Sequence, residues 1–201
     1  MIRTGLYDTA LVIGAESLSR VTNWTDRNTC VLFGDGAGAA AVCRNDGHGE
    51  SEIDRGILRS EGSGADYLRV TGAGSRRRMD VPKVDHPYLH MNGRKVYAFA
   101  VKALCDTVAM LLETNGVTLD EIAYIVPHQA NVRIIEAAGK RMGIPLERFY
   151  INIAEYANTS AASIPLALAE MQRKNILKRG QVLLTIGFGG GLTYGGNLIR
   201  W

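Results

Sequence analysis

Ala123-Tyr-Ile-Val-Pro-His-Gln-Ala-Asn-Val-Arg-Ile-Ile-Glu-Ala-Ala-Gly-Lys-Arg-Met142 decides the fold class. Ala123 to Val126 reads as a short strand, and from about Ala130 to Met142 the pattern is that of a helix. The alternation continues on both sides. Upstream, Val96, Ala100, Leu104, Val108 and Leu111 form an apolar stripe at helical spacing, predicting an amphipathic helix over 93–115 that ends at Asn115-Gly116. Downstream come a short strand near Tyr150 to Ile153 and a helix from about Ala161 to Lys174. Two final strands, Val182 to Ile186 and Leu192 to Ile199, flank a glycine run in hairpin fashion. Strands alternating with helices predict an α/β fold with a mixed, mostly parallel sheet, an antiparallel edge and helices on its faces.

The first part of the chain extends the pattern. Met1 to Gly5 reads as the last turn of a helix closed by a glycine cap, so the chain is expected to have lost its beginning. Thr9 to Gly14 is a continuous apolar run typical of a buried strand, and Cys30 to Phe33 reads as a second buried strand running into Gly34 to Val42. The turn-rich Asn45 to Glu50 places a border between a unit of residues 1–48 and one of 49–201. Residues 51–60 read as a strand, and 61–90 as an excursion over the surface.

At 201 residues, 46% hydrophobic and 21% charged, the chain has the composition of a globular domain with a sizeable core. No apolar run approaches the ~18 residues of a membrane span and no leader opens the chain, which predicts a cytoplasmic protein without a membrane partner. A net charge of +3 is too small for a general nucleic-acid binder. Cys30, Cys43 and Cys105 are odd in number and lack C-x-x-C spacing, which predicts reduced thiols and no metal site.

Several short stretches carry candidate chemistry. Gly34-x-Gly36-x-x-Ala39 follows the strand read at Cys30 to Phe33, as a dinucleotide fingerprint does. No helix of useful length follows the glycines, so the stretch reads instead as a bend packed closely against its neighbours. His128 stands just after an apolar strand and just before a helix, where open α/β sheets place ligands. Asn158 opens a second polar knot, Asn158-Thr-Ser160, before the next helix. Thr159 and Ser160 are read there as helix-capping residues, and Asn158 as a donor that could join His128 around an oxyanion. Gly187-Phe-Gly-Gly-Gly191 can expose backbone N–H groups. Arg133 and Lys140 share a face of the helix near 130–142, with Arg141 adjacent. None of the three cysteines has the cationic neighbour or helix start that makes a thiol reactive.

Taken in order, Thr25-Asp-Arg-Asn-Thr with Phe33-Gly-Asp-Gly-Ala-Gly-Ala39, Pro127-His-Gln-Ala-Asn-Val-Arg133, Asn158-Thr-Ser-Ala-Ala-Ser-Ile-Pro165 and Gly187-Phe-Gly-Gly-Gly-Leu-Thr193 closely resemble the β-ketoacyl-acyl-carrier-protein synthase III family. The resemblance covers essentially the whole chain but only the later part of that family's length. It implies the thiolase fold, two similar halves in a five-layer α-β-α-β-α core. Residues 1–48 would be a remnant of the N-terminal half and 49–201 the C-terminal half. It implies decarboxylative condensation of an acyl-CoA primer, usually acetyl-CoA, with malonyl-acyl-carrier-protein. No cofactor is needed beyond the CoA and phosphopantetheine thioesters, and the parent enzyme is a homodimer.

By the same resemblance, His128 and Asn158 donate to the thioester oxygen as CO2 leaves, and the Gly190 N–H helps hold the tetrahedral oxyanion. Arg27, Gly93, Tyr97 and Asn131 line the path of CoA and pantetheine, and Arg133, Lys140 and Arg141 belong to the carrier-protein docking face. None of the three cysteines matches the family nucleophile, which is expected upstream of Met1, so the chain by itself is expected to be inactive in condensation. The rival readings are another thiolase-fold acyltransferase and a non-catalytic module that packs on a partner or binds carrier protein.

Overall fold

The computed structural model describes residues 1–45, 47, 51–70 and 88–201. Gly5, at a φ of 75°, closes the opening turn: its N–H reaches the Ile2 carbonyl and that of Leu6 reaches Met1, the pattern of a helix C-terminus. β1 (Thr9–Ser17) and β2 (Asp35–Cys43) then pair antiparallel along their whole length as a two-stranded ribbon. β3 (Glu52–Ile53) and β4 (Ile57–Ser60) follow, and a small antiparallel pair, β5 (Leu68–Val70) and β6 (Leu89–Met91), leads into α1 (Gly93–Asn115). The rest of the chain is β7 (Ile122–Pro127), α2 (Val132–Met142), the one-turn α3 (Ile153–Tyr156), α4 (Ser163–Arg173), β8 (Val182–Gly189) and β9 (Thr193–Arg200).

The main sheet runs β3-β9-β8-β7, with β4 also on β9. Side chains alternate across it. Ile125, Leu184, Ile186 and Leu198 pack with Leu104, Leu111 and Ile135 of α1 and α2 on one face. Val126 and Leu183, one residue out of phase, pack with Ala167 and Met171 of α4 on the other. Each fully buried Leu or Ile contributes ~1.5–3 kcal/mol, so this helix–sheet–helix sandwich is the core. The α/β fold and the mixed sheet are as read from sequence, but among the described strands only β7 and β8 run parallel. β9 turns straight back from β8 through Gly190–Leu192, and β3 and β4 then pair antiparallel with it.

The helix over 93–115 is as expected, because both of its ends are encoded. The Asn92 side chain accepts the Lys95 N–H at 3.2 Å, and Gly116 supplies the left-handed residue, φ 64°, at the other end. α2 is capped likewise by the Asn131 side chain, which accepts the Arg133 N–H at 3.0 Å.

Other expectations are corrected. Cys30 to Phe33 is not a strand. Asp26 holds the Asn28 N–H and the Thr29 hydroxyl with its carboxylate, and its carbonyl accepts from Thr29 and Cys30, so the chain winds into turns. The strand lies instead in the glycine- and alanine-rich 35–43. Close packing was rightly read there, for a side chain at Gly38 would meet Pro165 at 2.9 Å and one at Gly14 would meet the Ala161 carbonyl oxygen at 2.6 Å. β1 is not buried: Leu11, Val12 and Ile13 are 64, 58 and 62% exposed, because among the described residues β2 is its only strand neighbour.

Residues 51–60 form two short strands, since Asn115 at the end of α1 bonds both backbone groups of Arg55 and interrupts the ladder. Tyr150 to Ile153 adds no strand. The Tyr150 N–H reaches Ile125, but that of Asn152 goes to the Gln129 side chain and the chain turns into α3. Thr159 and Ser160 cap nothing with their side chains; a 3-10 turn over 160–162 precedes α4. The border at 48/49 and residues 71–87 of the surface excursion lie outside the described residues.

Candidate functional site

β7 ends on Pro127, and the His128 N–H still bonds the Ile186 carbonyl of β8 at 2.7 Å, which fixes where the imidazole leaves the sheet. Gln129 locks the loop behind it. Its buried amide donates to the Pro127 and Tyr150 carbonyls at 2.9 and 3.0 Å and accepts the Asn152 N–H at 3.1 Å. The ring itself has Nδ1 2.7 Å from Ser163 Oγ, and the Phe188 ring meets it edge-on at 5.3 Å between centroids. Burial pushes the His128 pKa down to about 4, so the imidazole is neutral near pH 7. With Nδ1 engaged, Nε2 is the nitrogen left for a ligand.

Asn158 is held by the other part of the chain. Its N–H donates to Leu32 and its carbonyl accepts from Gly34, both at 2.9 Å, a short parallel bridge to the segment before β2. Its side-chain oxygen accepts the Ser160 N–H at 3.0 Å, which leaves the amide Nδ2 as the free donor. Ala157 and Ser160, on either side, have φ of 57° and 50°, a backbone region costly for residues with a Cβ. Strain on both flanks of a polar side chain marks a position held for something other than stability.

Two cavities meet at this pair. One, of about 860 Å³, has His128, Asn158 and Gly190 on its wall together with Ile57, Leu58, Leu68 and Val70. The other, of about 770 Å³, is lined by His128 and Asn158 with Asn92, Gly93, Val96, Tyr97 and Asn131. His128 and Asn158, thirty positions apart in the chain, therefore share both walls. A neutral imidazole and a carboxamide, each anchored by one atom and free at another, can stabilise negative charge growing on a bound oxygen.

Of the other residues singled out by sequence, Gly93, Tyr97 and Asn131 line the second cavity, and the Tyr97 hydroxyl donates to the Arg133 carbonyl at 3.3 Å, tying α1 to α2. Arg27 is exposed and off the wall, between Asp26 and Asn28, which are on it. Arg133, Lys140 and Arg141 are exposed on α2, with Glu136 on the same face. Cys30, Cys43 and Cys105 line neither cavity, and burial pushes the Cys105 thiol pKa up. Ser163 was not singled out, although a hydroxyl at the first residue of α4, one helix entry away from Asn158, was the available signal. The apolar wall from Ile57 to Val70 was also missed, having no motif to mark it. Among the described residues there is no cluster of metal-binding side chains and no helix long and apolar enough to cross a membrane.

Comparison with known proteins places this geometry. Residues 1–62 match the family model of 3-oxoacyl-[acyl-carrier-protein] synthase III, and residues 112–201 match that of its C-terminal region. The β-ketoacyl-[acyl-carrier-protein] synthase III of Clostridium acetobutylicum is 46% identical over all of this chain and 61% of its own length. The crystal structure of 3-oxoacyl-[acyl-carrier-protein] synthase III from Aquifex aeolicus is similar with a TM-score of 0.88 at 41% identity, covering 100% of this chain and 60% of that one. The priming β-ketosynthase of the R1128 polyketide pathway has a TM-score of 0.86 at 35% identity, covering 98% of this chain and 59% of its own. The chain thus spans about three fifths of the length of the relatives it matches.

Proposed function

Because this chain belongs to the 3-oxoacyl-[acyl-carrier-protein] synthase III family, we propose that the intact protein is a cytoplasmic acyltransferase that joins an acyl-CoA primer to malonyl-acyl-carrier-protein. Residues 1–48 belong in this reading to its first thiolase-like half and 49–201 to its second. The observation that carries it is the pairing of His128 and Asn158 on the wall where two cavities meet, each with one donor free. The malonyl thioester carbonyl oxygen accepts from His128 Nε2 and Asn158 Nδ2. As the bond between C2 and the carboxylate breaks and CO2 leaves, the electron pair enters an enolate whose oxygen those donors stabilise. The enolate carbon attacks the acyl thioester, the Gly190 N–H helps hold the resulting oxyanion, and its collapse expels the thiolate that carried the primer.

The acyl-bearing thiol is a cysteine other than Cys30, Cys43 and Cys105, none of which lines the cavities. The pantetheine arm runs past Gly93, Tyr97 and Asn131, with Arg27 at the outer rim toward CoA. Arg133, Lys140 and Arg141 meet the acidic carrier protein. The substrates supply all the reacting groups, with no further cofactor, and the working form is a homodimer.

Malonyl-thioester decarboxylation by the intact protein tests the reading. His128→Ala or Asn158→Ala should each lower the rate about 10²–10³-fold, the usual cost of one oxyanion donor. Unchanged rates would overturn it. Arg133→Glu should raise KM for the carrier-protein substrate at low salt and leave primer transfer from CoA unchanged; an unchanged KM would return α2 to an ordinary solvated face. The absence of a cysteine from both cavity walls also supports a second reading, a carrier-protein-binding module without chemistry. Carrier-protein binding with no decarboxylation would favour it.

A further inference from the structure

We propose that Ser163 is a positioning residue whose hydroxyl donates to His128 Nδ1 and so holds the ring as the tautomer with its proton on Nε2. The inference rests on the donor role given to His128 above, but the tautomer itself can be measured without it. Ser163 Oγ is 2.7 Å from His128 Nδ1 and 3.3 Å from the Gln129 backbone nitrogen. The Gln129 N–H can only donate, so Oγ accepts there, and the one hydroxyl proton is left to point at Nδ1.

In the opposite tautomer, Nδ1–H and the Gln129 N–H would both aim at Oγ. The hydroxyl proton would then need another acceptor. Ser163 is 2% exposed, so water does not supply one, and no other acceptor bonds it among the described residues. A buried donor left unpaired is disfavoured by about tenfold or more, which selects the first arrangement.

α4 holds the same histidine at a second point. Glu170, two turns after Ser163 on the same face, accepts from the Asn152 side chain at 2.7 Å and from Lys174 at 2.6 Å. The Asn152 N–H in turn bonds Gln129, whose amide grips the Pro127 carbonyl. Ser163 thus sets the ring, and Glu170 sets the loop that carries it.

Nitrogen-15 NMR of histidine-labelled intact protein near pH 7 tests this. The expected wild-type spectrum has His128 Nδ1 unprotonated and Nε2 protonated. Ser163→Ala should move at least part of the population to the Nδ1-protonated form and lower kcat for malonyl-thioester decarboxylation about tenfold, with KM within twofold. Ser163→Thr, which keeps the hydroxyl, should restore both. Glu170→Gln should lower the melting temperature and leave the tautomer as in wild type. A wild-type ring protonated on Nδ1, or an Nε2 proton that persists unchanged in Ser163→Ala, overturns the assignment. The wild-type spectrum decides this even if Ser163→Ala does not fold. A tautomer that shifts as expected while decarboxylation stays constant upholds the role of Ser163 and overturns that of His128.

Discussion

The β1–β2 ribbon and the β7–β8–β9 sheet are built from similar apolar runs and have opposite surroundings. β8 places five successive residues, Val182 to Ile186, out of solvent, because α1 and α4 cover its two faces. β1 carries Ala-Leu-Val-Ile, a run of the same kind, and buries only Gly14. A continuous apolar strand therefore encodes a demand for layers on both faces, and says nothing of whether the same described residues supply them. α4 is where the regions join: its body packs on Val126 and Leu183 of the sheet, and its entry on Gly14, Gly36 and Gly38 of the ribbon.

Substitution at matched positions should separate the two regions most widely. Leu184→Ala removes a fully buried side chain and should cost about 2–5 kcal/mol, whereas Leu11→Ala should stay within about 0.5 kcal/mol. Denaturant unfolding measures both. Equal losses would mean that the ribbon is covered in solution.

Acid should act next, and first on the covered region. The His128 pKa is about 4 in the fold against an ordinary value of 6.5, so the unfolded chain binds the extra proton between those pH values. Stability should therefore fall as pH drops from about 6.5 toward 4, by up to about 3 kcal/mol, and that slope should flatten in His128→Gln. In the ribbon, Asp35 is held below its usual range by the Ser19 hydroxyl and N–H. Its contribution is lost only as pH falls below about 4. Unfolding curves at pH 7, 5 and 3.5 distinguish the two windows; a wild-type slope that survives in His128→Gln would refute the assignment.

The junction should give a smaller effect than the core of the sheet. Gly14→Ala puts a Cβ against the Ala161 carbonyl and should cost about 1–3 kcal/mol, with a fall in decarboxylation because the turn holding Ala161 starts at Ser160, whose N–H anchors the Asn158 side chain. Unaltered melting and activity would show that the ribbon is docked loosely.

Elements with local signals were legible in the sequence. α1 carries its own caps at Asn92 and Gly116, and β7 with His128 was readable from a strand passing directly into a helix. β2 was not, since Gly-Ala-Gly-Ala-Ala-Ala has little strand preference; it pairs along β1, and its glycines lie against Thr159, Pro165 and Leu166 at the entry to α4. Cys30 to Phe33 misled for the opposite reason, its apolar run being overruled by the side chain of Asp26. His128, Asn131 and Asn158 were readable as motif residues, Gly93 and Tyr97 only through the family resemblance, and all five line the cavities. The contact of Ser163 with the ring and the apolar wall around Leu68 come from tertiary packing; a hydroxyl at the start of α4 was the one signal in the sequence for Ser163, and Leu68 had none.

The backbone bridge between Leu32, Gly34 and Asn158 has a temporal consequence. Its two sides are made far apart during synthesis, and the loop it closes contains β2, α1, β7 and α2, while α4 and β8, which hold His128 through Ser163 and Ile186, follow it. Contacts of such sequence separation form late, after local helices and hairpins. The carboxamide is thus pinned opposite the imidazole only when the segment before β2 has found the segment before α4, so the oxygen-binding pair is a late product of folding.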